Sequence, residues 1–215
     1  VAACCIPGFA EDESKDLGYR FVWDPQTHTG KCLNKENKEG YNPYYLGQCG
    51  DFRGMSIGKY DINGKDIQGS NMDGINLRGV HMNGAFLRGI SAKGTNFSKT
   101  QLNGAKFSGA DLSGANFIRA ELNGAELDYT NLSGAIFDDA QLHGTQMNNA
   151  NLSGTKIATK IETVNLKSAK FSIGTALPID PEVIAQRGMV DYNNPIAVAK
   201  IEVAPSEGER KPANK

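Results

Sequence analysis

Large apolar residues recur at every fifth position through the middle of the chain. The first lies at Phe52 and the spacing holds to Ile157, which makes 22 consecutive repeat units with one small centre, Ala92. The residue two places before each centre is mostly Ala or Thr, and polar residues fill most other positions. A period of five fits neither the 3.6-residue turn of a helix nor the two-residue alternation of a strand. The pattern therefore predicts short extended steps joined by corners.

Four such steps would close a square coil of 20 residues, so that residues 20 apart stack on one another. The positions two after each centre support this expectation, because two of the four columns contain only Gly. These corner glycines are Gly54, Gly74, Gly94, Gly114 and Gly134 in one column and Gly64, Gly84, Gly104, Gly124 and Gly144 in the column ten residues away. Gly supplies the positive φ that the third residue of a type II turn needs. We expect type II turns at these opposite corners and looser turns at the other two, where Lys99, Arg119 and Tyr129 occur.

The repeated centres predict a hydrophobic core along the axis of a rod. In the most regular stretch the expected core residues are Leu112, Phe117, Leu122, Leu127, Leu132 and Phe137. The small centre Ala92 follows the large Ile90, and the two together conserve volume, which packed cores tolerate. After Ile157 the register slips by one, and the next centre is Leu166, nine residues on. About six coils with strands ~4.8 Å apart predict a rod roughly 29 Å long.

The repeat unit resembles the A-[DN]-L-x-x motif of the pentapeptide-repeat family. Residues 110–114 (ADLSG) and 150–154 (ANLSG) match this motif in full. The resemblance covers about residues 50–172, and a motif repeated in phase over this length is highly specific. It implies an all-β fold, the right-handed quadrilateral β-helix.

The segments on either side of the repeats differ from them in composition. Residues 1–50 are rich in aromatic residues, and the order YRFVW, DPQTHTG and KCLN predicts a hairpin with a polar turn. We interpret this segment as an N-terminal cap on a β-helix over 51–172, because stacked coils leave open backbone edges at each end. Residues 173–215 are expected to form a short C-terminal helix at 180–188 and then an extended arm. That arm would lie on a neighbouring molecule or fold back along its own rod.

All four cysteines precede the repeats, at Cys4, Cys5, Cys32 and Cys49. An even number of Cys in a small segment with little core is typical of disulfides formed in an oxidising compartment. We favour a Cys32–Cys49 disulfide within the chain, which would staple the hairpin to the first coil. Cys4 and Cys5 would then be free, bonded to each other, or bonded to another chain. We therefore expect an exported protein, located in a periplasm, at a cell surface or outside the cell.

The sequence contains no phosphate-binding loop and no spacing typical of a catalytic or metal site. His81 and His143 would lie three coils apart, about 14 Å at the usual strand spacing, which is too far to share a metal ion. A column of Asn63, Asn83, Asn103 and Asn123 predicts stacked amides that stiffen the rod. Apolar runs fall short of the about 20 residues that a membrane span needs. We expect no enzymatic activity, no cofactor, no metal and no membrane span.

Several non-enzymatic functions stay open. The first is a structural or scaffold rod that self-associates, end to end or through its tails, into an oligomer or fibre, with other copies of the chain as protein partners. The second is a monomeric exported module that binds another protein. The family resemblance also raises a DNA-mimicking topoisomerase inhibitor. Residues 51–171, however, carry 13 Lys and Arg against 11 Asp and Glu, so the rod does not imitate a polyphosphate and we expect no nucleic-acid partner.

Overall fold

A stack of short parallel steps makes up the middle of the chain. The computed structural model describes residues 18–42, 47–55, 57, 61–161, 163–171, 175–176 and 189–191. Its strands are β1 (Arg20–Asp24), β2 (Thr29–Leu33), β3 (Lys170–Phe171) and β4 (Val190–Asp191). Between β2 and β3 the backbone alternates single-residue bridges with turns, and the described residues contain no helix. The secondary structure therefore has the five-residue period of the sequence.

Residues 20 apart pair as parallel bridges on the sides of each coil. One column of bridges joins Asp51, Asn71, Ser91, Asp111 and Asn131. The N–H of each centre donates to the next coil, as Leu102 does to Glu121 at 2.7 Å, and the N–H before it donates to the previous coil, as Gln101 does to Val80 at 3.1 Å. The described coils thus form the expected four-sided β-helix.

The spacing of the bridges shortens near the C-terminal end of the repeats. Gln146 pairs with Asn165 and Asn151 with Lys170, so the residues that pair are 19 apart instead of 20. This change confirms the register slip predicted after Ile157. The core continues across it, because Leu166 and Phe171 are each 1% exposed.

The predicted centres fill the interior of the rod. The side chains with 0% exposure include Leu112, Phe117, Leu122, Leu127, Leu132 and Phe137. Three rings stack in one column, with Phe117 at 4.9 Å from Phe97 and 4.8 Å from Phe137 between ring centroids. Ile90 and Ala92 are 1% and 0% exposed, as expected if the large Ile90 side chain fills the core space that the small centre Ala92 leaves.

Threonine replaces alanine in the small interior positions without leaving a buried polar group unpaired. Thr100 and Thr145 are 0% exposed. Their hydroxyls each donate, at 2.9 Å, to the carbonyl of the centre 23 residues earlier, Leu77 and Leu122 respectively. Because buried hydroxyls need a partner, this bond explains why the position accepts Thr as readily as Ala.

All four corner columns use the same backbone reversal. With one example from each column, the corner φ is 66° at Gly114, 67° at Gly104, 57° at Arg119 and 60° at Tyr129. The expectation of looser turns at two of the corners was therefore wrong. Each side of the coil must meet the next with the same offset, so each corner needs the same turn whatever its residue.

A non-glycine corner carries a cost and gains a contact. The left-handed conformation costs an L-residue roughly 1–2 kcal/mol. At one such corner the Arg119 Nε lies 3.3 Å from the Asp139 Oδ2 of the coil that follows. An exposed pair of this kind contributes little, so the strain at these corners is only partly offset.

At many centres a side-chain oxygen accepts the N–H of the residue that follows, in one of two ways. Where Asn or Asp precedes the centre, its own oxygen accepts that N–H, as Asp111 Oδ1 does from Ser113 at 3.1 Å. In the asparagine column the oxygen comes from the previous coil: Asn103 Oδ1 accepts the N–H of Asn123 at 3.0 Å. The Asn103 Nδ2 donates to Glu121 Oε2 at 3.0 Å. The predicted ladder of stacked amides is therefore a ladder of side-chain to backbone bonds.

The predicted hairpin is confirmed, but it lies along the side of the rod instead of over its end. β1 and β2 pair antiparallel, and the rings of Phe21 and Trp23 pack on corner glycines. A Cβ atom added to Gly89 would lie 2.8 Å from Phe21 Cζ, and one added to Gly109 would lie 2.6 Å from Trp23 Cη2. The hairpin therefore contacts the side of the rod, and an end cap formed by the segment 1–50 as a whole stays a prediction. The rings of the hairpin need apolar surface. The side of the rod offers bare backbone in the corner column that contains Gly69, Gly89 and Gly109.

A disulfide between Cys32 and Cys49 joins the hairpin to the start of the rod, with 5.6 Å between the two Cα atoms. Both residues are buried, at 5% and 0% exposure. The N–H of Asn42 donates to the Cys49 carbonyl at 2.7 Å, and Asn42 pairs with Gly50. These residues cover part of the first coil, which is the capping role that we assigned to the whole segment. Cys4 and Cys5 lie outside the described residues.

At the other end of the rod the chain returns onto its own last coil. β4 pairs parallel with β3, with Lys170 opposite Val190 and Phe171 opposite Asp191. Strand addition by the C-terminal segment is therefore intramolecular as far as the structure describes it. The helix expected at 180–188 and the arm beyond residue 191 lie outside the described residues.

Replacing Phe117 with Ala tests the stacked core. The variant leaves a cavity between two rings, so we expect the free energy of unfolding to fall by about 3–5 kcal/mol. Phe86→Ala is the matched control, because Phe86 is 41% exposed, and its loss should stay below about 1 kcal/mol. Urea unfolding followed by circular dichroism measures both, and equal losses would contradict the assignment of the core.

Substitution of two corner glycines by Ala tests the lateral docking of the hairpin. Gly109 and Gly104 have φ of 69° and 67°, so Ala meets the same backbone strain at both. Nothing lies within 4 Å of the added Cβ at Gly104, whereas Trp23 obstructs it at Gly109. We expect Gly109→Ala to displace the hairpin and red-shift the emission of Trp23, the only Trp in the chain. Gly104→Ala should leave the emission unchanged, and a shift in both variants or in neither would refute the docking.

Candidate functional site

A groove opens where the hairpin turn meets the rod. Its volume is about 350 Å³, within the range of about 300–1,000 Å³ that is usual for small-molecule sites. The hairpin contributes Thr27, His28 and Thr29, and the rod contributes Gly109, Ala110, Asp111, Tyr129, Thr130, Asn131, Asn149, Asn151 and Lys170. We take this groove as the candidate functional site.

Asp24 fixes the hairpin turn that forms one wall of the groove. Its Oδ1 accepts the N–H of Gln26 at 2.8 Å, and its Oδ2 accepts the hydroxyl of Thr27 at 2.8 Å. The bonds from Thr27 and Gln26 hold the pKa of the Asp24 carboxyl below its usual value. The ionised Asp24 carboxylate therefore stabilises the folded turn at pH values above its unfolded-state pKa. This stabilisation of the turn is lost as the pH falls through the lowered pKa of the folded state.

Two stacked rings join the hairpin turn to the rod. The rings of His28 and Tyr129 lie 3.5 Å apart between centroids with an interplanar angle of 8°, and Trp23 meets His28 edge-on at 6.4 Å. Tyr129 occupies a corner with φ of 60°, where the same column has Gly109 one coil earlier. Bulky residues rarely adopt a positive φ. The Tyr129 side chain is 41% exposed, so part of it faces the groove and solvent.

A row of polar side chains from successive coils forms the floor of the groove. Asn131 Nδ2 donates to Asp111 Oδ1, and Asn151 Nδ2 donates to Asn131 Oδ1, both at 3.1 Å. The Asp111 carboxylate also pairs with Lys93 Nζ at 3.6 Å. The backbone N–H of Asn131 is bound to the carbonyl of Ala110 in the previous coil. This floor therefore presents side-chain amides and hydroxyls, while the backbone groups are occupied between the coils.

Apart from Tyr129, the residues singled out from the sequence lie away from this groove. The core side chains are interior, and Gly64, Gly84 and Gly104 lie at a corner with nothing within 4 Å of an added Cβ. His81 and His143 are both exposed. His28 could not be recognised from the sequence as a wall of a site, because its partner Tyr129 is 101 residues away in the chain. Tyr129 carried a signal, since it interrupts a column of corner glycines.

The described residues add two further observations on chemistry. Within them, no group of three or more His, Cys, Asp or Glu side chains is placed to hold a metal ion. No helix in the described part of the chain has the length and apolar character that crossing a membrane requires. The side-chain amides on the floor of the groove can form hydrogen bonds with a ligand, and the Tyr129 ring can contact one.

Comparison with known proteins identifies the repeat. The family model for pentapeptide repeats, which contains 8 copies, matches residues 70–109, 95–134 and 115–154. It indicates no catalytic family, and proteins with this repeat are generally non-enzymatic scaffolds. No curated protein matches the chain.

Several solved pentapeptide-repeat structures are similar to parts of the chain. A protein from the thylakoid lumen of Arabidopsis thaliana is 29% identical, over 54% of this chain and 77% of its own, with a TM-score of 0.40. The plasmid-mediated fluoroquinolone resistance protein QnrB1 is 17% identical, over 68% of each chain, with a TM-score of 0.45. Rfr23 from the cyanobacterium Cyanothece 51142 is 21% identical, over 50% of this chain and 84% of its own, with a TM-score of 0.31. From the family match and the 20-residue coil together, residues 70–154 form a run of pentapeptide repeats.

Proposed function

We propose that this protein is a non-enzymatic scaffold, a rigid rod that binds protein segments along its sides and associates with further copies of itself. The observation that carries the proposal is the docked hairpin. Phe21 and Trp23 hold a two-stranded segment against bare backbone at Gly69, Gly89 and Gly109. This contact is the kind that a protein partner would make, with aromatic anchors on a flat backbone surface.

Two further corners offer the same kind of surface with no occupant among the described residues. Nothing lies within 4 Å of a Cβ added at Gly104 or Gly124, and both have positive φ. A segment from a second copy of the chain that presents aromatic rings would meet the same backbone geometry there. Association of this kind runs side to side, which adds to the end-to-end and tail-mediated routes expected from the sequence.

Export to an oxidising compartment forms part of the proposal. The buried Cys32–Cys49 disulfide supports it, because such bonds persist where thiols are not kept reduced. Mass spectrometry of unreduced protein is expected to recover the Cys32 and Cys49 peptides linked to each other. Free thiols at both positions in protein taken from its native compartment would contradict export. The same spectra report whether Cys4 or Cys5 links two chains.

Lysine substitutions at corner glycines test the lateral association. The test variant changes corners with open space beside them, and the control changes a corner in a column that already contains Lys. Analytical ultracentrifugation of the wild-type protein should show a mass that rises with concentration. The double variant Gly104→Lys, Gly124→Lys places long side chains on the open corner, and we expect it to shift the protein toward monomer. Gly79→Lys is the control, because Lys99 already occupies that column with φ of 57°.

The possible outcomes separate the alternatives. A wild-type monomer at all concentrations would overturn self-association and favour the monomeric binding module. An equal loss of association in the control and the double variant would show that the open glycine corner is not the contact. Inhibition of DNA supercoiling at low protein concentration would instead support a DNA mimic, against the net charge of the rod.

A further inference from the structure

We propose that the groove at the hairpin turn binds a short neutral oligosaccharide. This site is separate from the open corners that carry the proposed scaffold function, and neither proposal depends on the other. Three features of the groove support this assignment: its hydrogen-bonding groups, its balance of charge and the position of Tyr129.

The groove presents groups that both donate and accept hydrogen bonds. Three side-chain amides line it, from Asn131, Asn149 and Asn151. The hydroxyls of Thr27 and Thr29 also lie there, but Thr27 donates to Asp24 and the two hydroxyls bond to each other at 2.8 Å, so they add acceptors and not free donors. A side-chain amide has two N–H donors, and the described contacts along the floor use one each on Asn131 and Asn151. Sugar hydroxyls also donate and accept, so a polyhydroxyl ligand pairs with such a surface more completely than a ligand with acceptors alone.

The charge of the groove favours an uncharged ligand. The charged residues that line it are one of each sign, Asp111 and Lys170. Asp111 already pairs with Lys93 and accepts a bond from Asn131. A phosphorylated or polyanionic ligand is usually held by several cationic groups, and a divalent cation by several oxygen ligands including carboxylates. The groove has neither set.

An extended peptide fits this surface poorly. Peptides that add to a sheet need free backbone donors and acceptors at an edge. Along the floor these groups are already used, as the N–H of Asn131 bonds to Ala110 and that of Asn151 to Thr130. Recognition here must therefore come from side chains.

Tyr129 supplies the apolar part of the site. It holds a bulky ring at φ of 60°, a conformation in which Gly would be less strained. The coil imposes a positive φ at every described corner, so it is the ring at this corner, and not the backbone angle, that distinguishes Tyr129. The ring is stacked on His28 and the residue is 41% exposed, so part of its apolar surface is accessible beside the row of amides. The C–H faces of a pyranose ring pack on aromatic surfaces of this kind.

Isothermal titration calorimetry with cellotetraose and with chitotetraose tests the proposal on the full-length protein. We expect at least one of the two to bind, and to change the emission of Trp23, whose ring lies 6.4 Å from that of His28. Binding of chitotetraose alone would identify a sugar with acetamido groups, and binding of both would identify a general saccharide site. Absence of heat and of any emission change with both sugars would overturn the proposal.

Corner substitutions locate the bound sugar. Tyr129→Gly removes the ring while relieving backbone strain, so we expect the fold to be kept and the affinity to fall about tenfold or more. Arg119→Gly relieves the same strain at a corner outside the groove, and its affinity should match the wild type. Asn149→Gly removes a groove amide at a third corner with φ of 58°, and should also weaken binding.

Asn149→Gly also separates the sugar site from a purely structural role of Tyr129. If Tyr129→Gly lost binding only together with a Trp23 emission shift in the ligand-free protein, while Asn149→Gly bound normally, the ring would serve only to seat the hairpin. The proposal would then be wrong. Loss of affinity in both groove variants, with normal binding by Arg119→Gly, is the expected result.

Discussion

Each coil must close with its backbone groups aligned to those of the coils before and after it, which takes 20 residues through most of the rod and 19 at the slip near Leu166. One step shows this requirement. The Leu102 N–H donates to the Glu121 carbonyl in the next coil, and the Gln101 N–H donates to the Val80 carbonyl in the previous coil. A step of another length shifts the spacing of the bonds in its own coil, as the slip near Leu166 does. The common corner turn, the constant inward direction of the centres and the paired polar rows all follow from this alignment.

The same requirement explains how one regular rod acquires distinct surfaces. Because every corner has a positive φ, Gly is favoured at all of them, but only some corners are needed bare for contact. At Gly89 and Gly109 the missing side chain makes room for aromatic rings, whereas at Gly104 the space beside the backbone is open. Where the column changes to Tyr129, the hairpin ends and the groove begins. Function in such a fold is thus expected at interruptions of the repeat.

Much of the rod could be predicted from the sequence, because its determinants are local and repeated. The centres from Phe52 to Ile157, the 20-residue coil and the slip near Leu166 each rest on spacing alone. The position of the hairpin could not be predicted, since the contacts of Phe21 and Trp23 join segments far apart in the chain. That Lys99 and Arg119 share the glycine turn could not be predicted either, because their positive φ is visible only in the backbone of the structure.

The hairpin makes the two ends of the rod unequal in how they come apart. A stack of repeats held only by neighbour contacts loses its coils singly from either end. Here the hairpin contacts several coils at once, at Gly69, Gly89, Gly109 and Tyr129, and it is joined covalently to Cys49. Those coils are therefore held together by the hairpin as well as by contacts between neighbouring coils. Coils beyond Tyr129 lack that coupling within the described residues. Local opening should therefore begin from the C-terminal side, and the N-terminal coils should open together as one cooperative unit.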